Sequence, residues 1–174
     1  MKDNIAIIGF MGSGKTTVGK ILAARMGWNF FDLDRIIELS EDRTINDIFD
    51  DDGERHFRDV ETKIILKTIS NNKDCIFACG GGTVLRKENM YAVKKKCRIV
   101  YLAVSAEAAA ARLAGSAERP LVRDRDQKRK IPELMDKRRH YYEKYAEITI
   151  RNVSLAPEEA AERIIYKLRN YDTP

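Results

Sequence analysis

The stretch Ile5-Ala6-Ile7-Ile8-Gly9-Phe10-Met11-Gly12-Ser13-Gly14-Lys15-Thr16-Thr17 decides the reading of this chain. Four apolar residues, the pattern of a strand buried on both faces, run straight into G-x-x-x-x-G-K-[ST], with every fixed position matched. Val18, Ile21, Leu22 and Met26 then recur at helical spacing. A glycine-rich turn between buried strand and helix is a phosphate-binding loop. Its glycines let successive N–H groups converge on one hollow, Lys15 can reach the β- and γ-phosphates, and the Thr16 hydroxyl can ligate Mg²⁺. Gly12, Ser13, Gly14, Lys15, Thr16 and Thr17 are therefore the candidate nucleotide-binding residues.

Outward from this loop, short apolar runs alternate with longer helical patterns. The runs are Ile5 to Ile8, Asn29 to Phe31, Cys75 to Cys79, Ile99 to Leu102 and Ile148 to Ile150. Strands that alternate with helices predict a parallel sheet, buried on both faces, with right-handed crossovers. Ligands then sit beyond the carboxyl ends of the strands. Helices are predicted at about 15–26, 34–40, 54–70, 87–95, 105–114, 124–144 and 157–170 from periodicity and local signals. Ser105 suits an N-cap and Pro157 a first turn. Gly115 to Lys130 is polar enough for a mobile loop.

The chain has 174 residues, a length that fits one domain. No apolar stretch approaches the roughly 20 residues needed to cross a bilayer, so no membrane role is expected. The first strand begins within four residues of the start, which leaves no targeting segment and points to the cytoplasm. Cys75, Cys79 and Cys97 are an odd number without C-x-x-C spacing, and read as reduced core thiols. Asn152-Val153-Ser154 matches a glycosylation sequon, which carries no weight without a signal peptide. A net charge of +5 raises the question of nucleic acid. Much of the basic excess lies between Arg119 and His140, interleaved with Asp124, Asp126, Glu133 and Asp136. That distribution suits a lid over polyphosphate better than a duplex-binding face, so no nucleic-acid partner is expected.

The remaining landmarks follow the strands. Phe31-Asp32-Leu33-Asp34 places two carboxylates two residues apart, on one face of an extended segment. Asp32 then suits the cation and Asp34 the acceptor hydroxyl, as phosphoryl transfer requires. The alternative is that Asp34 caps the following helix. Gly80, Gly81 and Gly82 follow the third strand, where they permit close backbone approach and expose N–H groups to a ligand. Arg58, in Gly53-Glu54-Arg55-His56-Phe57-Arg58-Asp59-Val60-Glu61, offers a planar fork suited to a carboxylate, or else a surface ion pair. Phe49 and Phe57 are candidates to wall such a pocket, or to pack in the core.

With these motifs in place, the chain resembles the shikimate kinases over essentially its whole length. The resemblance implies a three-layer α/β/α P-loop kinase fold, with a five-stranded parallel sheet, a substrate-binding helical region at 32–60 and a mobile lid at 112–125. It implies that Asp34 contacts the shikimate hydroxyls, that Asp32 lies near Mg²⁺, and that Arg58 in the F-R-x-x-E segment grips the shikimate carboxylate. The glycine triplet Gly80 to Gly82 lines the same pocket. Arg119 in Arg119-Pro120-Leu121 reaches the ATP phosphates from the lid, and Arg112 lies near the adenine. A further carboxylate-binding arginine belongs to a segment usually read R-x-P-x-Y and corresponds to Arg138, aligned through Tyr142 and Ala146. His140 stands where the family has proline, so Arg139 remains a competing candidate.

The reaction so implied is transfer of the γ-phosphoryl group of ATP to the 3-hydroxyl of shikimate, towards chorismate and the aromatic amino acids. Lys15, Asp34 and Arg119 are the expected catalytic residues, Mg²⁺ is the expected metal, and the partners are shikimate and ATP in a monomeric enzyme. A kinase for gluconate or a nucleoside monophosphate, and a non-catalytic nucleotide-binding module, are the competing readings.

Overall fold

The computed structural model describes residues 4–113, 127–152 and 154–171. Its elements run β1 Asn4–Ile8, α1 Lys15–Met26, β2 Asn29–Asp32, α2 Leu33–Glu41, α3 Ile45–Asp51, α4 Gly53–Ser70 and β3 Cys75–Ala78. A 3₁₀ turn, Thr83–Leu85, leads to α5 Lys87–Lys96, β4 Cys97–Ala103, α6 Ala106–Leu113, α7 Gln127–Tyr145, β5 Ile148–Arg151 and α8 Pro157–Tyr171. The expected lid lies outside the described residues beyond Leu113, and Arg119 with it.

The five strands form one sheet in the order β2-β3-β1-β4-β5, every pair parallel. Because β1 is central, Asn4 pairs with Cys75 on one side and Cys97 on the other. Side chains alternate across the sheet. Ile5 and Ile7 of β1, with Val100 and Leu102 of β4, meet Val18 and Leu22 of α1 and Ala160 and Ile164 of α8. Ala6 and Ile8, with Ile99 and Tyr101, face α4, α5, α6 and α7 through Ile65, Met90, Ala109 and Met135. A smaller cluster of Ile37, Ile48, Phe57 and Val60 joins α2, α3 and α4.

Burial on both faces holds for β1 and β3, all of whose residues are buried. It does not hold at the edges. In β5 Ile148 and Ile150 are buried while Thr149 and Arg151 are exposed, and β2 is only partly covered. An edge strand lacks a neighbour on one side, and its exposed flank tolerates polar residues. Helix α3 was not among the predicted helices. It begins with a capping box, in which the Asp47 amide donates to Thr44 Oγ1 at 3.1 Å and the Thr44 amide to Asp47 Oδ2 at 3.2 Å.

All three cysteines are buried and none is in a disulfide among the described residues. Since every strand points the same way, the loops after all five open at one edge of the sheet, on either side of central β1. That is the switch point at which doubly wound sheets bind ligands.

Candidate active site

The turn after β1 is built as a nucleotide phosphate site requires. Gly12 and Gly14 take left-handed backbone conformations, φ 73° and 89°, which side chains other than glycine's rarely adopt. Gly14 is also the N-cap of α1 and supplies no side-chain cap, so the helix presents its first amides and the positive end of its dipole. Lys15 is buried, and its Nζ donates to the Gly9 and Phe10 carbonyls at 3.0 Å each. Thr17 is exposed on the first turn of α1.

Asp32 and Asp34 do not share one extended segment. Strand β2 stops at Asp32, whose Oδ1 accepts from the Asp34 and Arg35 amides at 3.2 and 3.4 Å and so caps α2. The cap is Asp32, not Asp34. The second oxygen of Asp32 accepts from the Thr16 hydroxyl at 2.6 Å, joining β2 to the phosphate loop. Asp34, freed of the capping duty, lies in the first turn of α2 and lines the cavity.

That cavity, of about 1100 Å³, extends from Thr16 and Asp32 to Asp34, Arg58, Gly80 to Gly82 and Arg138, and its walls include Phe49 and Phe57. The two rings are in contact, 4.6 Å between centroids. Arg58 Nη1 donates to Glu61 Oε2 at 2.8 Å, while Nε and Nη2 reach Glu54 Oε1 at 3.3 and 3.2 Å. Glu61 is buried and takes a second bond from Thr83 Oγ1 at 2.8 Å. Burial pulls the Arg58 pKa down, but Glu61 and Glu54 outweigh it and hold the guanidinium above the ordinary arginine value.

Arg138 is buried at the same cavity, 5% exposed, whereas Arg139 faces solvent and pairs with Asp136 at 3.2 Å. Between the two candidates, Arg138 is the one at the cavity. Burial, with the nearby charge of Arg58 adding to it against Tyr142, lowers the Arg138 pKa. Two buried arginines side by side make a locus that favours an anion. Tyr142 fixes the floor, donating its hydroxyl to the Gly81 carbonyl at 2.6 Å. His140 is exposed, its ring tilted against that of Tyr141.

The glycine triplet lines the cavity and permits close approach at two of its positions. None of the three has positive φ. A Cβ on Gly80 would lie 2.6 Å from Asp34 Oδ1 and 3.0 Å from Glu61 Oε1, and one on Gly82 would fall inside the Arg58 guanidinium. At these two positions the missing side chains make room for the protein's own charged groups. A Cβ on Gly81 would meet only ordinary contacts, the nearest at 3.5 Å.

Arg112 holds the phosphate loop from outside, donating to the Gly12 carbonyl at 3.1 Å and to the Asn152 carbonyl at 3.2 Å. Sequence reasoning assigned no role to Glu61, Thr83 or Asn152. The spacing Glu54, Arg58, Glu61 on one face of α4 carries the signal for the first. Thr83 and Asn152 come from other elements and carry none. Among the described residues no three His, Cys, Asp or Glu side chains form a metal cluster, and no helix is long and apolar enough to cross a membrane.

Comparison with known proteins agrees with this geometry. The family model described as shikimate kinase matches residues 11–169. A shikimate kinase of Thermodesulfovibrio yellowstonii is 44% identical over 162 residues, 93% of this chain and 92% of that protein. One from Persephonella marina is 37% identical over 95% of this chain and 99% of its own length. The solved shikimate kinase from Acinetobacter baumannii in complex with shikimate superposes with a TM-score of 0.94 at 32% identity, covering 99% of this chain and 96% of that one. With a phosphate loop at the switch point and a family match over nearly all of its length, the chain belongs to the shikimate kinase family.

Proposed function

We propose that the protein transfers the γ-phosphoryl group of ATP to the 3-hydroxyl of shikimate, giving shikimate 3-phosphate and ADP on the way to chorismate and the aromatic amino acids. The observation that carries this reading is the pairing of two buried arginines, Arg58 and Arg138, with one carboxylate, Asp34, in a cavity continuous with the phosphate loop. The arginines suit a single carboxylate, and Asp34 suits hydroxyl groups. An acceptor with one acid group and neighbouring hydroxyls satisfies both.

Phosphoryl transfer asks the protein chiefly for position and charge. The loop amides and Lys15 hold the phosphates, with Lys15 exchanging its Gly9 and Phe10 carbonyl partners for phosphate oxygens. Asp34 orients the acceptor hydroxyl and takes its proton. Arg58, kept in place by Glu61 and Glu54, and Arg138 bind the acceptor carboxylate and so set the angle at which the hydroxyl meets the γ-phosphate. Arg119 completes the charge neutralisation from the lid in this reading, and Arg112 lies towards the adenine. Gly80, Gly81 and Gly82 form the acceptor wall.

Thr16 and Asp32 fit Mg²⁺: a hydroxyl and a carboxylate 2.6 Å apart are hard oxygen donors, too few for a cage and suited to an ion that keeps its water and phosphate ligands. Thr16 and Asp32 would hold the ion, which would supply charge neutralisation to the phosphates. The reading is of one domain over 1–174, acting as a monomer in the cytoplasm, where ATP is at hand. Size-exclusion chromatography with light scattering checks the oligomeric part.

ADP release with MgATP tests the whole, comparing shikimate with gluconate, nucleoside monophosphates and no acceptor. Turnover with shikimate alone is expected. Nucleotide binding without turnover on any acceptor would turn the reading to a non-catalytic module.

A further inference from the structure

Asn152 follows β5, the edge strand farthest from the acceptor pocket, yet it is tied into the phosphate loop. Its backbone amide donates to the Ala103 carbonyl at 2.7 Å, which prolongs the β4–β5 ladder and fixes the residue. Its side chain is 3% exposed, and Nδ2 donates to the Ser13 carbonyl at 2.7 Å. The Asn152 carbonyl in turn accepts from Arg112, whose other nitrogen holds the Gly12 carbonyl. Two successive loop carbonyls are thus held from outside, one directly by Asn152.

In a planar trans peptide the C=O and the next N–H point in opposite directions. Holding the Ser13 carbonyl outward therefore turns the Gly14 N–H away from Asn152. The Ser13–Gly14 unit also needs holding, because Gly14 has no Cβ and its left-handed φ of 89° is only one of the conformations open to glycine. A side chain at Gly14 would be strained at this φ and tight, since its Cβ would lie 3.2 Å from Asn152 Nδ2. Among the described residues the buried Asn152 Oδ1 has no hydrogen-bond partner. An apolar residue would spare this oxygen but take the partner from the Ser13 carbonyl, so what asparagine contributes here is its bond to the loop.

We propose that Asn152 is a positioning residue for nucleotide binding: it latches the Ser13–Gly14 peptide in the orientation that presents the Gly14 N–H to a phosphate oxygen. The latch acts through the loop and not by touching the nucleotide. It deepens the kinase reading above and rests on it.

Asn152→Leu removes the donor while keeping the branching at Cγ, and Asn152→Asp keeps the shape while setting a carboxylate against the Ser13 carbonyl. Calorimetric titration with ADP and, separately, with shikimate reads the effect. Both variants are expected to lose about tenfold or more in ADP affinity, Asp more than Leu, with shikimate affinity changed less than about twofold. The ¹⁵N–¹H signal of Gly14, shifted strongly by ADP in the wild type, shifts much less in the variants. Wild-type ADP affinity in either folded variant, or equal loss of both ligands, overturns the latch. Should neither variant fold, the wild type decides: the hydrogen-bond coupling between the Asn152 side-chain amide and the Ser13 carbonyl must survive ADP saturation, and its disappearance refutes the proposal. A wild type that binds ADP but does not phosphorylate shikimate counts against the assigned reaction instead, because the latch is judged on nucleotide affinity.

Discussion

Replacing Gly82 with alanine adds one methyl group at a place the structure has already filled. The new Cβ would lie 2.5 Å from Arg58 Cζ and Nη1 and closer still to Nη2, so the guanidinium must move. It is a 9%-exposed side chain held by Glu61 at 2.8 Å, and displacing it into the cavity it lines loosens that bond. A hydrogen bond to a charged group contributes about 1.5–3 kcal/mol, so loss of one arginine contact to the acceptor carboxylate raises KM for shikimate about 10- to 100-fold. Glu61, 1% exposed, is left with Thr83 but without its cation. Breaking a buried pair in this way costs about 3–5 kcal/mol, or about 6–20 °C in Tm for a chain of this size, with the lower end expected because Arg58 can keep Glu54. The assay is steady-state ADP release over a range of shikimate, with calorimetric ADP binding and a thermal melt. Gly81→Ala is the control, expected to stay near wild type because its Cβ meets nothing nearer than 3.5 Å. A Gly82→Ala enzyme with wild-type KM and Tm would refute the account of why this wall is glycine.

Lys15→Ala removes the phosphate-reaching cation and is expected to cut kcat by about 10²-fold or more, and near-normal kcat would sink the phosphate-loop mechanism. Asp34→Asn is expected to keep ADP affinity and lose about 10²- to 10⁴-fold in turnover, whereas unchanged turnover would remove Asp34 from the chemistry. Thr83→Val takes a donor from buried Glu61, with an expected cost of about 1–3 kcal/mol in unfolding free energy and a raised KM for shikimate. Burial holds the Cys79 thiol well above its usual range. The unfolded chain therefore binds fewer protons than the native state above about pH 8.5, and stability should fall as pH rises through that value. Native protein should also resist a thiol reagent at pH 8 until it unfolds, and rapid labelling of Cys79 would contradict its burial.

Among the described residues, the five strands, seven of the eight helices and the phosphate loop were legible because each is written in contiguous residues: apolar runs, helical spacing, and a glycine-lysine pattern whose physics is local. Helix α3 was missed, although Thr44 and Asp47 carry its cap, because it is short and has few apolar positions. The choice of Arg138 over Arg139 could not be made from order alone, since neighbours on a helix point about 100° apart and only packing says which direction is inward. The roles of Asp32 and Asp34 separated for the same kind of reason: the helix began at Leu33, one residue earlier than the pattern suggested, and the cap fell to Asp32.

By itself the sequence determined the parallel α/β fold, the site at the carboxyl edge of the sheet and the residue types for phosphoryl transfer, because hydrophobic period and backbone chemistry act over a few residues. The tertiary structure decided which groups meet: Arg58 with Glu61 and Thr83, Gly82 against the guanidinium, Asn152 against Ser13 from 139 residues away. Those contacts join side chains from separate elements, and their partners are set only when the sheet order and helix packing bring the elements together.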